Sequence, residues 1–252
     1  MPQKPTSRGV YILPNLLTTG SLLAGFVGLV MASQGAIEAC ALAILISAVL
    51  DGLDGKVARL TNSSSEFGIQ YDSLADLVAF GVTPGFMVWE WMLKPYDRAG
   101  MAVSFLFVAC TALRLARFNV STAIASSKKF FIGLPSPAGG CALALTVFVS
   151  PYLPKILYPW LPHIVFAITF GVALLMVSRV RYFAFKEYGF LRAHPFRSMV
   201  ITLLVVTLIY AEPRLFAPIA CLLYMLSGLV YTFIILPTHN RRLLRSLAQN
   251  LS

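Results

Sequence analysis

Long apolar runs, separated by short polar segments, constrain this chain more than any other feature of its sequence. A helix that crosses a membrane needs about 20 mostly apolar residues. With 58% hydrophobic and 12% charged residues, the composition is that of an integral membrane protein and not of a water-soluble domain. We therefore predict an all-α polytopic membrane protein with about eight transmembrane helices. The predicted spans are Pro14–Ala32, Ile37–Leu50, Ser73–Met92, Met101–Leu113, Ala138–Leu153, Ile164–Val177, Met199–Ala211 and Leu215–Leu236.

The helix count has an alternative, because some of these runs are short. The second run reaches spanning length only if it continues into the polar residues after it, and the seventh is marginal. Six spans plus a re-entrant hairpin would also fit. The first run is too long for a signal peptide and lacks a convincing cleavage site, so we interpret it as a retained span. We treat residues 1–252 as a single integral membrane domain.

The distribution of basic residues supports the eight-span topology. With the N-terminus inside, sixteen of the 20 basic residues fall on the cytoplasmic side. This asymmetry is the one expected from the positive-inside rule. The residues placed outside are Lys94, Arg98, Lys155 and Arg214.

The net charge of +10 has a simple explanation in the same topology. Basic residues at one membrane face set orientation and attract anionic headgroups of the lipid bilayer. Residues 237–252 carry Arg241, Arg242 and Arg245, which predicts a basic cytoplasmic tail at the interface. Nothing in the sequence favours a nucleic acid partner.

Four carboxylates lie beside or between the second and third apolar runs: Asp51, Asp54, Asp72 and Asp76. A charged Asp at the centre of a membrane helix is disfavoured by about 2.5 to 3.5 kcal/mol, so compensating cations are expected. On α-helices, Asp51 and Asp54 lie roughly 60° apart around the axis, and Asp72 and Asp76 roughly 40° apart. If the two helices pack side by side, the four carboxylates converge.

Carboxylate oxygens are hard ligands that suit Mg²⁺ or Mn²⁺. Two ions are expected, because paired metals recur in phosphorus chemistry. The sequence does not distinguish the two metals. Neighbouring residues suit a phosphate-bearing substrate: Gly55 leaves room beside the backbone, and the planar Arg59 side chain could clamp a phosphate oxygen. Gly68 predicts a break before the second pair of carboxylates.

The stretch from Asp51 to Asp76 matches, without a gap, the signature D-x2-D-G-x2-A-R-x8-G-x3-D-x3-D of the CDP-alcohol phosphotransferases. So many fixed positions in one short span make this resemblance specific. It implies a helical bundle with a six-helix core plus additional C-terminal helices. It also implies a homodimer. The eight-span topology places the aspartates at the cytoplasmic ends of the second and third spans, so the active site is expected at the cytoplasmic side of the cell (inner) membrane.

The resemblance also assigns roles to individual residues. It makes Asp51, Asp54, Asp72 and Asp76 the ligands of the metal, and Asp76 in addition the catalytic base. The CDP-diacylglycerol donor would be bound by Asn15, Thr18, Gly55, Arg59 and Ser65. From the residues alone, Asn15 and Thr18 could equally be ordinary polar residues at the start of a helix.

Two later stretches bear on the acceptor alcohol. They are ALRLARFN, residues 112–119, and FIGLPSPAGG, residues 131–140. Both resemble the corresponding stretches of bacterial-type phosphatidylserine synthases. The resemblance implies that Arg114, Arg117 and Asn119 hold the carboxylate of L-serine, through charge-assisted hydrogen bonds. Orientation in the membrane alone could also explain the two arginines. Ser136 could be a polar contact in the same pocket, but a role in the turn is the preferred interpretation.

The expected reaction is transfer of a phosphatidyl group from CDP-diacylglycerol to L-serine, giving phosphatidylserine and CMP. Another acceptor, such as glycerol 3-phosphate or inositol phosphate, remains open within the same chemistry, as does an ether-lipid donor. The alternative from another class is a cation-coupled transporter that uses the carboxylates as an ion path. Transporters often have inverted repeats or paired broken helices, and the sequence has neither.

Overall fold

The computed structural model describes residues 12–61, 65–124, 130–183, 200, 203, 204, 207 and 210–235. Several predictions lie outside these residues: the basic tail at 237–252, most of the span predicted at Met199–Ala211, and the side chain of Arg59. The chain divides into two compact units. The first comprises residues 1–126 and 135–177, and the second comprises residues 127–134 and 178–252.

The described part of the first unit is helical throughout. Its apolar residues pack between the helices, and several polar side chains are buried with them. The α-helices in chain order are α1 (Ile12–Ser33), α2 (Ile37–Leu60), α3 (Glu66–Leu77), α4 (Thr83–Val88), α5 (Asp97–Ile124), α6 (Ser136–Val149) and α7 (Leu161–Val177). Helix α1 packs along α2 and also contacts α3 and α4, while α6 packs on α2 and α7 on α5.

A π-helical segment, Val78–Val82, joins α3 to α4 and lies in the centre of this unit. Small residues let helices approach it from two sides. A Cβ atom at Gly25 of α1 would lie 2.8 Å from the Ala79 Cα, and one at Gly140 of α6 would lie 3.1 Å from the Phe80 Cα. The Thr83 hydroxyl donates to the Gly25 carbonyl oxygen at 2.9 Å. The segment that follows the last aspartate is therefore clamped between α1 and α6.

The chain reverses after a second π-helical segment, Trp89–Leu93, and a 3-10 turn, Lys94–Tyr96. Asp97 takes a positive φ of 45° at the start of α5. A Cβ atom at Gly100 would lie only 2.0 Å from the Leu93 carbonyl oxygen, so this position needs glycine. Helix α5 then packs back against α3 and α4.

Four helical segments among the described residues are long and apolar enough to cross a membrane. They are Pro14–Ser33, Glu66–Val120, Lys155–Val177 and Pro213–Phe233. The second is 55 residues long and folds back on itself, so it covers the third and fourth predicted spans. The prediction of a helical membrane protein is confirmed. Helix α2 is continuous through the first two aspartates, as its prediction as a span required.

The second unit contains a short β-pairing that was not predicted. Strand β1 (Phe130–Ile132) pairs antiparallel with β2 (Arg181–Phe183), with Phe131 opposite Tyr182. Helix α8 (Pro213–Val230) packs on β2. A Cβ atom at Gly228 would lie 2.3 Å from the Tyr182 ring, so the missing side chain makes room for that aromatic residue. The pairing joins residues about 50 positions apart, which local sequence patterns do not reveal.

Candidate active site

The predicted site residues of the first unit gather where several helix ends meet. The start of α1 contacts the end of α2, and the end of α5 contacts both the start of α6 and the end of α7. All of these ends are cytoplasmic in the predicted topology. The geometry at this end of the bundle therefore agrees with the alternation of spans that the charge pattern predicts.

Three of the four predicted metal ligands converge. One carboxylate oxygen each from Asp51, Asp72 and Asp76 lies within 4.8 Å of the other two. Asp51 and Asp72 are half-buried, and Asp76 is buried. Helix α2 contributes the first carboxylate and α3 the other two, one turn apart on one face, as the spacing predicted.

Asp54 has a different partner. Its Oδ2 atom accepts a hydrogen bond of 2.7 Å from the Thr18 hydroxyl of α1. The same hydroxyl lies 3.1 Å from the Pro14 carbonyl oxygen. Thr18 and Asp54 are each only 5% exposed, so this pair is shielded from water. The role of Asp54 as a metal ligand stays a prediction.

An open groove of about 440 Å³ lies beside these carboxylates. Four of the five residues that the resemblance assigned to the donor lipid line it: Asn15, Thr18, Gly55 and Ser65. Asp54 and Asp72 also line the groove. Among the described residues, no atom outside the local helix backbone lies within 4 Å of where a Gly55 Cβ would be, as the predicted open space beside this backbone requires. Arg59 is in the last turn of α2, but its side chain lies outside the described part of the chain.

The prediction that Gly68 breaks the chain before the second carboxylate pair is wrong. Helix α3 begins earlier, at Glu66, and Ser65 is its N-cap. The Ser65 hydroxyl accepts a hydrogen bond of 3.0 Å from the Gly68 backbone N–H. Satisfying a free N–H at the helix start stabilises the helix through Gly68. A side chain at this position would crowd Ser65 at 3.1 Å.

Arg114 is linked to Asp76 by hydrogen bonds through Ser136. Its Nη1 atom donates to the Ser136 hydroxyl oxygen at 2.5 Å, and that hydroxyl lies 3.4 Å from Asp76 Oδ2. All three residues are buried. Ser136 is the functional candidate that the sequence analysis placed in a turn. The only signal for it was its location in the proline-rich stretch that resembles the phosphatidylserine synthases.

The other two predicted acceptor residues make different contacts. Arg117 donates to the Val177 carbonyl oxygen at 2.9 Å and to the Met176 carbonyl oxygen at 3.1 Å, at the end of α7. Asn119 joins α5 to α3, with its Nδ2 atom donating to Ser73 at 3.0 Å and to Gln70 at 3.2 Å. Neither of these contacts involves an aspartate of the cluster. The serine-binding roles of both residues stay predictions.

The donor set fits a divalent cation. It consists of carboxylate oxygens only, from a clustered trio that is at least half-buried and has an open groove beside it. Mg²⁺ and Mn²⁺ favour such hard oxygen ligands over the nitrogen and sulfur ligands that zinc prefers. Holding three carboxylates this close would be unfavourable without a compensating positive charge.

Comparisons with known proteins agree with this geometry. Residues 11–177 match the CDP-alcohol phosphatidyltransferase family. A CDP-diacylglycerol--serine O-phosphatidyltransferase of Helicobacter pylori is 36% identical over 228 residues, which cover 88% of this chain and 91% of that protein. Proteins with the same name are 32% identical in Bacillus subtilis, over 70% of this chain and 93% of the relative, and 33% identical in Methanocaldococcus jannaschii, over 74% and 81%. The chain belongs to the CDP-alcohol phosphatidyltransferase family.

Proposed function

We propose that this protein transfers a phosphatidyl group from CDP-diacylglycerol to L-serine, giving phosphatidylserine and CMP. The observation that carries the proposal is the convergence of Asp51, Asp72 and Asp76 beside a groove lined by the predicted donor-binding residues. The names of the relatives supply the two substrates.

The aspartates would hold two divalent ions, Mg²⁺ or Mn²⁺, with Asp54 as the fourth ligand. Such ions, when bound, neutralise the diphosphate and stabilise the charge that develops on the departing CMP. Asp76 accepts the proton of the serine hydroxyl while the hydroxyl oxygen of the substrate attacks the phosphorus that carries the lipid, and CMP leaves. Asn15, Gly55 and Ser65 orient the nucleotide end of the donor in the groove, and Arg59 adds a positive contact.

Arg114 is the residue best placed to bind the acceptor. Its guanidinium is buried one hydroxyl away from Asp76, so a carboxylate bound to Arg114 would bring the rest of a small amino acid close to the base. An acceptor phosphate, as in glycerol 3-phosphate or inositol phosphate, would call for additional basic groups. The orientation of Arg117 towards the end of α7 favours serine over these acceptors.

The proposed location is the cell (inner) membrane, with the site at the cytoplasmic face and the protein as a homodimer. A membrane site of this kind suits a donor with an apolar and a polar end. The acyl chains remain among apolar helices while the water-soluble CMP and serine exchange with the cytoplasm.

The decisive experiment measures CMP release by the purified protein in detergent with CDP-diacylglycerol and Mg²⁺ or Mn²⁺. L-serine, glycerol 3-phosphate, inositol phosphate and no acceptor are compared. Release that requires serine and stops with a chelator is the expected result. Release with another acceptor alone would keep the chemistry and overturn the serine assignment, and no release with any acceptor would favour a transporter.

A further inference from the structure

Ser136 lies between the proposed base and the proposed carboxylate-binding arginine. Its hydroxyl oxygen is 2.5 Å from Arg114 Nη1 and 3.4 Å from Asp76 Oδ2. The Ser136 side chain is fully buried, and Arg114 and Asp76 are 7% and 9% exposed. Water therefore has little access to replace the hydroxyl if it is removed.

The chemistry of the three groups fixes the direction of the hydrogen bonds. A guanidinium can only donate, so the Ser136 oxygen must be the acceptor from Arg114. The single hydroxyl proton is then left to point at Asp76 Oδ2, which accepts it. Ser136 thus links the guanidinium of Arg114 to the carboxyl group of Asp76.

The backbone holds this hydroxyl in place. Ser136 is the first residue of α6, and Pro135 before it and Pro137 after it restrict the local chain. Four residues further along α6, Gly140 packs against the backbone of Phe80. Phe80 belongs to the π-helical segment that follows α3, the helix that carries Asp76. The start of α6 and the base are therefore anchored to the same segment.

We propose that Ser136 is a positioning residue that fixes the Arg114 guanidinium relative to Asp76 and directs it towards the carboxylate of the acceptor. Without the hydroxyl, Arg114 loses this hydrogen bond and with it its orientation. That loss weakens binding of an acceptor carboxylate. The proposal rests on the proposed transfer to serine and adds to it a residue that determines acceptor affinity.

The test is a steady-state comparison of Ser136→Ala with the wild-type protein, varying L-serine and CDP-diacylglycerol separately. Losing a hydrogen bond to a charged group predicts a rise of the serine KM by about tenfold or more. The KM for CDP-diacylglycerol should change by less than about twofold, because the groove that binds the donor does not include Ser136.

The matched control is Ser104→Ala. Ser104 is also a buried serine of the first unit, and its hydroxyl has no hydrogen-bond partner among the described residues. Removing the Ser104 hydroxyl changes the buried volume by the same amount without breaking a series of hydrogen bonds. Wild-type values of both KM constants are expected for this variant.

A double substitution tests whether Ser136 acts through Arg114. If it does, Ser136→Ala together with Arg114→Lys raises the serine KM by less than the product of the two single effects. Independent, multiplicative effects would overturn the coupling.

Two further outcomes separate the possible failures. If the wild-type protein releases CMP with serine but Ser136→Ala and Ser104→Ala have the same serine KM, the positioning role is wrong while the proposed function stands. If wild-type protein shows no serine-dependent release, the proposed function itself fails. Should Ser136→Ala not fold, Ser136→Cys keeps a side chain of similar shape with a much weaker donor. An unchanged serine KM in that variant would overturn the proposal.

Discussion

The Thr18 hydroxyl donates to Asp54 Oδ2 at 2.7 Å, and this bond joins the first helix to the carboxylate motif of the second. The two residues are 36 positions apart, and both are buried. In the sequence, Thr18 was assigned to the donor lipid. The observed bond gives it a second task, which is to orient a predicted metal ligand.

Thr18→Val tests this task, because valine keeps the shape of the side chain and removes the hydroxyl. Asp54 would then be buried without this donor. We expect activity to fall by about tenfold or more, and the concentration of Mg²⁺ or Mn²⁺ needed for half-maximal activity to rise. CMP release measured across a metal titration provides both values.

Thr18→Ser and Thr169→Val are the controls for that experiment. Serine retains the hydroxyl and should restore most of the metal affinity. Thr169 is buried in α7 and bonds only to the Val165 carbonyl oxygen of its own helix among the contacts described, so losing its hydroxyl should leave the metal titration unchanged. An unaltered metal requirement in Thr18→Val would show that Thr18 does not orient Asp54.

The aspartate cluster could be predicted from the sequence because it depends on local geometry. The carboxylates at positions 72 and 76 share a face of any α-helix, and the end of α2 brings Asp51 to them. Four residues of the groove could be predicted for a different reason, the family signature and its known donor site. Both kinds of inference survive small errors in helix boundaries.

The partners of Thr18 and Ser136 could not be predicted in this way. Each bond joins different helices, and it depends on helix rotation and on approach distances that the π-helical segment Val78–Val82 sets. A π-helical segment inserts an extra residue into a turn and has no reliable sequence signal. The helix start at Glu66 was not predicted, because Ser65 was assigned to the donor lipid and Gly68 was interpreted as a break, whereas Ser65 caps the helix.

Asp76→Asn should abolish turnover and leave donor binding largely intact. The amide keeps the size of the side chain but cannot accept the serine proton as a base. Single-turnover CMP release gives the chemical step, and binding of CDP-diacylglycerol to the detergent-purified variant gives the affinity. Loss of both would indicate that Asp76 serves mainly to hold metal.

Removing the metal should stop the reaction reversibly. Removing a side chain that binds the metal should stop it in a way that added metal does not restore. We expect a chelator to abolish CMP release by wild-type protein and added Mg²⁺ or Mn²⁺ to restore it. Asp72→Ala should be inactive at every metal concentration, since it deletes one of the three clustered carboxylates. An active Asp72→Ala protein would refute the metal site as proposed.

Arg114 and Arg117 should respond differently to the same substitution. Arg114→Gln should raise the serine KM more than the donor KM, because its guanidinium lies one hydroxyl from Asp76. Arg117→Gln should mainly lower the thermal midpoint, because its guanidinium bonds to carbonyl oxygens at the end of α7. Equal effects on the serine KM would support the original prediction that both arginines bind the acceptor.

Gly25 is a position where the structure predicts that a single added methyl group disturbs the packing beside the site. A Cβ atom there would lie 2.8 Å from the Ala79 Cα, a backbone atom of the π-helical segment that follows α3, the helix that carries Asp76. Because a backbone atom cannot rotate away, Gly25→Ala must move α1 relative to that segment. Overpacking of this kind costs on the order of 1 to 3 kcal/mol, more than the roughly 1 kcal/mol that alanine gains over glycine in a helix. We therefore expect a lower thermal midpoint and reduced CMP release.

Gly171→Ala provides the opposite case on α7. In the described part of the chain, no atom outside the local helix backbone lies within 4 Å of its Cβ position, so the gain in helix propensity is the expected effect. Its midpoint should equal or exceed that of the wild-type protein when all variants are heated at the same rate in the same detergent. If Gly25→Ala is as stable and as active as Gly171→Ala, the close approach of α1 to the π-helical segment does not hold the site together.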